Sequence, residues 1–359
     1  MTYTTTTHVL KIDAASPEPE PLQRAADMLR AGGLVAFPTE TVYGLGANAL
    51  DNVAVGRIFA AKQRPNADPI IAHIHDRDQL TLLAREVPAI VAEIAAHFWP
   101  GPLTLVLKKA PRVPGILTAD LDTVAVRMPA HPVARALLQT VALPIGAPSA
   151  NTFTRPSPTT AAHVLEDLRG HVDIVLDGGT ATIGLESTVL DLTQSPPVIL
   201  RPGGVALEDL RAVLPAAVLA PRFLHLDESG APAATSPGQL TRHYSPNATV
   251  MLFTGPTNAV LRRMRQAAQQ RTLDGERIGL LVADEDAPYF SSLTDVVVLG
   301  PRDDLDAIAR ALFAGMRTLD RHGVAVIMTR DFGRDGLGAA LWDRLLRAAE
   351  GRVIEVKAE

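Results

Sequence analysis

The chain has 359 residues, 47% hydrophobic and 20% charged, with a formal net charge of −5. That length suits two domains, and the composition is that of a packed protein rather than a disordered one. It contains no cysteine, which excludes disulfides, thiolate metal sites, iron–sulfur clusters and cysteine nucleophiles.

Charge is spread evenly. Residues 1–215 hold 17 basic and 21 acidic side chains and the remainder 17 and 18, so neither half is basic. A broad nucleic-acid clamp is not expected, and any cationic surface must be local. The N-terminus shows no basic stretch followed by an apolar core, and no uncharged apolar run approaches the roughly 20 residues of a membrane helix. A cytosolic protein is expected.

Taken in chain order, Leu22, Ala25, Ala26 and Leu29 repeat at helical spacing and stop at Gly32-Gly33. A short buried strand, LVAF, then leads into Pro38. The segment FPTETVYGLGANA (37–49) reads as a strand ending in a turn dense with hydroxyls, where Gly44 and Gly46 would admit backbone N–H groups to a ligand. It is neither a Walker loop nor a dinucleotide fingerprint, and an ordinary turn explains the glycines alone. Asp51 is placed to cap a helix running to about Lys62. In AKQRP, Lys62 and Arg64 leave that helix before Pro65, where they can satisfy terminal carbonyls or hold a polyphosphate.

PIIAHI, PLTLVLKK and TVAVR read as strands, with helical patterns at about 88–98, 132–140 and 159–169. Arg127 ends an apolar strand, where burial demands either a ligand anion or a structural salt bridge. GAPSANTFTRPSPT (146–159) is a loop of small residues and hydroxyls in which Ser149, Asn151 and Ser157 offer donors, although these are also ordinary turn formers. Further strands are expected near Ile145 and at IVLD, TVLDL and VILR, with Ser187 and Arg201 at strand ends. His73 lies in a strand, and no histidine has a metal-ligand spacing. Together these give a twisted mixed sheet with covering helices over 1–215. Residues 216–246 have no sustained period and read as a linker. Residues 247–359 alternate strand and helix, as in a small Rossmann-like α/β domain.

In this order, PTETVYGLG, AKQRP, WPGPLTLVL, DTVAVRMP, PSAN, STVLDL and LRPG resemble the YrdC-type threonylcarbamoyl-AMP synthase family. SPGQLTRHYSP followed by an α/β tail resembles its two-domain members. The resemblance implies an L-threonylcarbamoyladenylate synthase, a nucleotidyltransferase that uses L-threonine, bicarbonate and ATP in the first step of a tRNA modification. It implies Thr39, His73, Arg127, Ala147 and Ser187 around L-threonine. Lys62, Arg64, Asn66, Thr123, Ser149, Asn151, Ser157 and Arg201 would surround ATP. His243 and Tyr244 would form a lid, Mg2+ would arrive with ATP, and the product would pass to a tRNA threonylcarbamoyl transferase with weak or no direct tRNA binding.

Three positions depart from the family pattern. Phe153-Thr154 replace a common Ser-Gly pair, Asp68 replaces a common Asn, and Gln239-Leu240-Thr241 precede the His-Tyr pair. The loss of the glycine challenges the backbone path of the nucleotide loop. Two other readings compete. A carbamoyl-adenylate former for another acceptor usually carries extra modules that this chain has neither cysteines nor room for. A non-catalytic RNA cradle fits poorly with the acidic balance.

Overall fold

A computed structural model describes residues 4–65, 67–220, 244–291 and 295–358. Among these, the chain divides into two compact units: the first lies within Met1–Phe153, Ser157–Thr182 and Glu186–Leu240, the second within Thr154–Pro156, Ile183–Leu185 and Thr241–Glu359.

The first unit carries strands β1 His8–Lys11, β2 Val35–Phe37, β3 Gly44–Asn48, β4 Ala72–His73, β5 Ala84–Glu86 and β6 Leu103–Lys109. These are followed by β7 Thr123–Arg127, β8 Ile145–Gly146, β9 Ile174–Asp177, β10 Thr188–Asp191, β11 Val198–Arg201 and β12 Val218–Leu219. Its helices are α1 Pro19–Arg30, α2 Asn52–Lys62, α3 Leu80–Leu83, α4 Ile90–Phe98, α5 Gly115–Thr118, α6 Pro132–Val141, α7 Ala161–Leu168 and α8 Leu207–Val213.

Local chemistry sets the helix ends. α1 starts at a proline, ends on Arg30 and buries the four apolar positions that the periodicity picks out. The Asp51 carboxylate accepts from the N–H groups of Val53 (2.8 Å) and Ala54 (3.1 Å), capping α2 as expected.

The twelve strands form one mixed sheet in the order β1-β9-β2-β3-β8-β4-β7-β6-β10-β11-β12, with β5 beside β6. β12 lies inside the stretch that reads as a linker; two residues are too few to show a period, and they join the sheet by pairing with β11.

The glycine-rich turn needs correction. Gly44 and Gly46 lie within β3, antiparallel to β2, with Gly46 opposite Val35. A Cβ on Gly46 would stand 2.8 Å from the Phe37 ring and 2.9 Å from Ile145 Cγ2. These glycines therefore belong to the strand rather than to the turn, and they let side chains pack across the sheet.

One face of the sheet is covered by the main apolar core, which takes Ala72, Leu103, Leu105, Leu107, Val124 and Val126 from the strands. The intervening residues share the other face, which carries a second core of Val35, Phe37, Ile145, Ala147, Ile174 and Leu176 with α1 and α6, and beside it a small cluster of Ile71, Val106, Ala125, Val189 and Leu200. His73, Thr104 and Arg127 alternate onto that second face.

The second unit is a sandwich around five strands: β13 Thr249–Thr254, β14 Ile278–Val282, β15 Asp295–Val298, β16 Val326–Arg330 and β17 Val353–Glu355. They run in the order β15-β14-β16-β13-β17, with every pairing parallel. Its helices are α9 Thr257–Leu273, α10 Leu305–Arg321 and α11 Leu337–Ala348. α9 packs Val260, Leu261, Met264 and Ala268 against one sheet face. On the other face Leu319 of α10 lies over Gly279, and Gly315 of α10 fits against Leu281. β14 and β16 are therefore buried along their whole length, the pattern of a parallel sheet covered on both sides.

Candidate active site

Five neighbouring strands bring the predicted residues into one row. His73 of β4 stands opposite Arg127 of β7, Arg127 opposite Thr104 of β6, Thr104 opposite Val189 of β10, and Val189 opposite Arg201 of β11. With strands about 4.8 Å apart, Arg127 and Arg201 are on the order of 14 Å from each other. This is the separation of their backbone positions, and each side chain keeps its own set of partners.

Arg127 is 3% exposed. Its Nη2 donates to Glu40 Oε1 at 2.6 Å, Nη1 to Thr41 Oγ1 at 2.9 Å, and Nε to the Gly101 carbonyl at 3.2 Å. Burial alone would raise the Glu40 carboxyl; the Arg127 guanidinium beside it outweighs burial and holds it below its ordinary value. Thr39 donates to the Val42 carbonyl at 2.6 Å, so the 2.7 Å contact between the two hydroxyls must have Thr41 donating to Thr39. A directed chain thus runs from Arg127 through Thr41 and Thr39 to the backbone and fixes the PTET turn. Glu40, Thr41 and Gly101 were not singled out from the sequence; the carboxylate two residues from Pro38 was the available signal.

His73 is buried against Phe37, ring edge to face with centroids 6.3 Å apart. Burial, and then the charge of Arg127, push its pKa down to about 3. The imidazole is neutral, with Nδ1 donating to the Ile71 carbonyl at 3.2 Å. Ala147 is buried, and its N–H donates to the same carbonyl at 2.9 Å.

At the other end of the row, Arg201 donates to the Ser187 carbonyl from Nη2 (2.9 Å) and Nε (3.2 Å), and to Ser187 Oγ from Nη2 (3.2 Å). The Ser187 hydroxyl also meets that of Thr104 at 2.8 Å. Ser157 donates to the Glu186 carboxylate.

Lys62 ends α2 buried under the small-residue loop, where Nζ donates to the carbonyls of Ser149 and Asn151, each at 2.5 Å. That loop is zipped to β3: Leu45 N–H donates to Pro148, Ala150 N–H to Tyr43, and Gly44 pairs with Ser149. Arg64 spends its fork on its own turn, with Nη2 2.8 Å from the Pro69 carbonyl and 2.9 Å from the Asp68 carboxylate. Asp68 is therefore the buried counter-ion of Arg64, and its charge is matched locally.

Thr154, at the position of the missing glycine, adopts φ +73°. The backbone follows the left-handed path that a glycine favours, although a β-branched residue occupies it. Thr123 lies at the opposite end of β7 from Arg127, about 13 Å along the strand. Asn66 and His243 lie outside the described residues. Tyr244 is described: it is fully buried at φ +61°, stacked on Phe313 with centroids 5.5 Å apart and with Arg344 5.1 Å from its ring.

The Sua5/YciO/YrdC family model, described as "Telomere recombination", matches residues 27–203. The model described as "Threonylcarbamoyl-AMP synthase, C-terminal domain" matches residues 205–350. A threonylcarbamoyl-AMP synthase of Pyrococcus abyssi is 46% identical over 332 residues, covering 92% of this chain and 95% of its own length. One of Bacillus subtilis is 40% identical over 346 residues, covering 95% and 96%. The crystal structure of P. abyssi Sua5 complexed with L-threonine superposes with a TM-score of 0.92 at 44% identity, covering 97% of this chain and 99% of that one.

The chain belongs to the threonylcarbamoyl-AMP synthase family. Its α/β architecture, a twisted mixed sheet followed by a smaller parallel one, is that of the two-domain synthases. Among the described residues no helix is long and apolar enough to cross a membrane.

Proposed function

We propose that the chain forms threonylcarbamoyl-AMP from L-threonine, bicarbonate and ATP, releasing pyrophosphate, as the first step of threonylcarbamoyladenosine formation in tRNA. The observation that carries this reading is the row from His73 through Arg127 and Thr104 to Arg201. It puts two buried arginines on one sheet face with their strand positions three strands apart, which leaves one for an amino-acid carboxylate and one for a nucleotide. Full-length similarity to synthases, one of them solved with L-threonine, supports it.

Arg127 takes the threonine carboxylate, with Thr39, His73, Ala147 and Ser187 around the amino acid. The apolar cluster of Ile71, Ala125, Val106, Val189 and Leu200 shares this face and gives the threonine methyl a surface that serine would not use, worth roughly 1–3 kcal/mol. Lys62, Ser149, Asn151, Ser157, Arg201, Arg64, Asn66 and Thr123 take the nucleotide. Magnesium enters with the triphosphate as part of the substrate; Glu40 and Asp68 are already held by arginines.

The amine of threonine and bicarbonate give N-carboxy-threonine and water. The new carboxylate then attacks the α-phosphorus and pyrophosphate leaves. Such a reaction asks for alignment and neutralised charge more than for a strong base, and this site offers cations and hydroxyl donors. The mixed anhydride is labile, so water must be excluded. His243 and Tyr244 belong to the closing segment, with the Tyr244 ring clasped by Phe313 and Arg344 as its fixed end. The product feeds an acyl-transfer enzyme acting on tRNA in the cytosol.

The test supplies ATP and bicarbonate with L-threonine, L-serine or glycine and follows pyrophosphate together with the mass of the AMP adduct. L-Threonine gives the adduct at the highest rate. Pyrophosphate release driven by carbamoyl phosphate without any amino acid would overturn the reading.

A further inference from the structure

Glu40 takes no part in the reaction proposed for this site. Glu40 lies between two threonines assigned to the turn, is 6% exposed, and approaches Arg127 Nη2 at 2.6 Å. Its other oxygen accepts from the His131 N–H at 3.4 Å. An arginine meant only to capture a carboxylate gains nothing from a second carboxylate on the same guanidinium. Two anions about 6 Å apart repel by roughly 3 kcal/mol at an effective dielectric constant of 20.

Charge balance gives Glu40 a use. Arg127 and Glu40 together carry no net charge, and neutral His73 adds none. A ligand with a lone carboxylate would bring an uncompensated negative charge into this buried place, which is costly. A zwitterion brings none: its carboxylate goes to the open N–H groups of Arg127, and its ammonium relieves the repulsion from Glu40. The guanidinium has five N–H donors, three of which are engaged by Glu40, Thr41 and Gly101, so a fork remains for the ligand.

We propose that Glu40 is a specificity-determining residue, the fixed counter-charge that makes the amino-acid pocket accept a zwitterion and reject a plain carboxylic acid. This rests on the placement of L-threonine at Arg127. The pocket discriminates by net charge before any contact with the side chain of the amino acid.

The experiment measures binding of L-threonine and of (R)-3-hydroxybutyrate, the analogue without the amine, to the full chain by calorimetry. In the unaltered protein L-threonine binds at least tenfold more tightly. In Glu40→Gln that ratio falls by tenfold or more, because threonine weakens while the analogue holds or gains. Glu40→Asp keeps the charge and keeps the ratio, whatever its absolute affinities. ATP binding reports that each variant is folded. Should Glu40→Gln lose ATP binding, the unaltered protein decides with a third ligand, L-threoninol: a neutral pocket binds both singly charged analogues at least tenfold more weakly than threonine. Equal loss of both ligands in Glu40→Gln would show a merely structural carboxylate and overturn the proposal. So would 3-hydroxybutyrate matching threonine in the unaltered protein. Failure of the unaltered protein to bind L-threonine at all would instead sink the functional reading.

Discussion

Carboxylates of the second unit each hold two arginines, whereas Glu40 of the first unit holds one edge of a single arginine. In the second, Asp286 takes both Arg302 and Arg330 at 2.7 Å, and Asp343 takes Arg344 at 2.6 Å and Arg347 at 2.9 Å. In the first, Arg64 is paired with Asp68 and Arg127 with Glu40, one arginine to each carboxylate. Arg127 is matched by one carboxylate on one edge only. The difference separates charge kept for structure from charge kept for a ligand. A carboxylate shared by two arginines completes itself, whereas a strand-end arginine with donors to spare is open to completion by a ligand.

The largest test of this contrast is Arg127→Met. It strands Glu40 in the interior and removes the carboxylate partner of the amino acid. We expect a loss of at least about a hundredfold in threonine-dependent pyrophosphate release, from the missing charge-assisted pair. Stability should fall by about 3–5 kcal/mol, as for any buried pair reduced to one member. A urea midpoint and a threonine titration measure the two effects separately. The mirror experiment is Arg330→Met in the second unit. It leaves Asp286 with Arg302 and should cost about 3 kcal/mol in the same urea measurement. Its threonine KM should stay within about twofold of the parent, and a tenfold rise would dissolve the distinction between the two kinds of buried charge.

A third test reads the first unit by pH. The His73 pKa lies near 3 in the folded chain against about 6.5 for a free imidazole, so the unfolded chain binds the extra proton. Its contribution is fully present above pH 6.5 and is lost as pH falls toward 3, at up to about 1.4 kcal/mol per pH unit. His73→Asn removes that slope in the acid limb of a stability profile. An unchanged slope would mean that His73 is not the buried neutral group described.

Much of this was legible in the residues. The α1 periodicity, the Asp51 cap and the alternation of the second unit each state their structure locally. The order of the motif blocks named the family before any geometry. What stayed hidden was non-local. Gly44 and Gly46 looked like a ligand turn because nothing in the sequence places Phe37 and Ile145 across from them. The row from His73 to Arg201 depends on strand order, which brings residues 73, 127, 104, 189 and 201 together out of chain order. Glu40 was passed over because a lone acidic residue in a turn has a local explanation, while its partner lies 87 residues away. Asp68 looked like an intrusion into a phosphate site until Arg64 was seen beside it.

The smallest effect concerns strain rather than charge. Thr154 holds φ +73°, a conformation that glycine favours. The left-handed region costs a β-branched residue roughly 1–2 kcal/mol, because Cβ crowds the following carbonyl. Glycine relieves that crowding but loses more backbone entropy on folding, by up to about 1 kcal/mol. Thr154→Gly should therefore stabilise the chain by about 0.5–1 kcal/mol and raise the thermal midpoint by a few degrees at most. The sign is the informative part. Strain is tolerated at binding loops when the surrounding structure fixes the angle, and here the Thr154 carbonyl accepts from the Ser245 N–H at 2.7 Å while the Phe153 N–H donates to Lys62 at 2.8 Å. If the variant gains stability with the ATP KM unchanged, the loop path is set by those backbone bonds and the side chain only burdens it. If stability falls instead, the threonine contributes contacts worth more than its strain, and the loop has adapted to its own residue rather than kept a glycine's conformation at a loss.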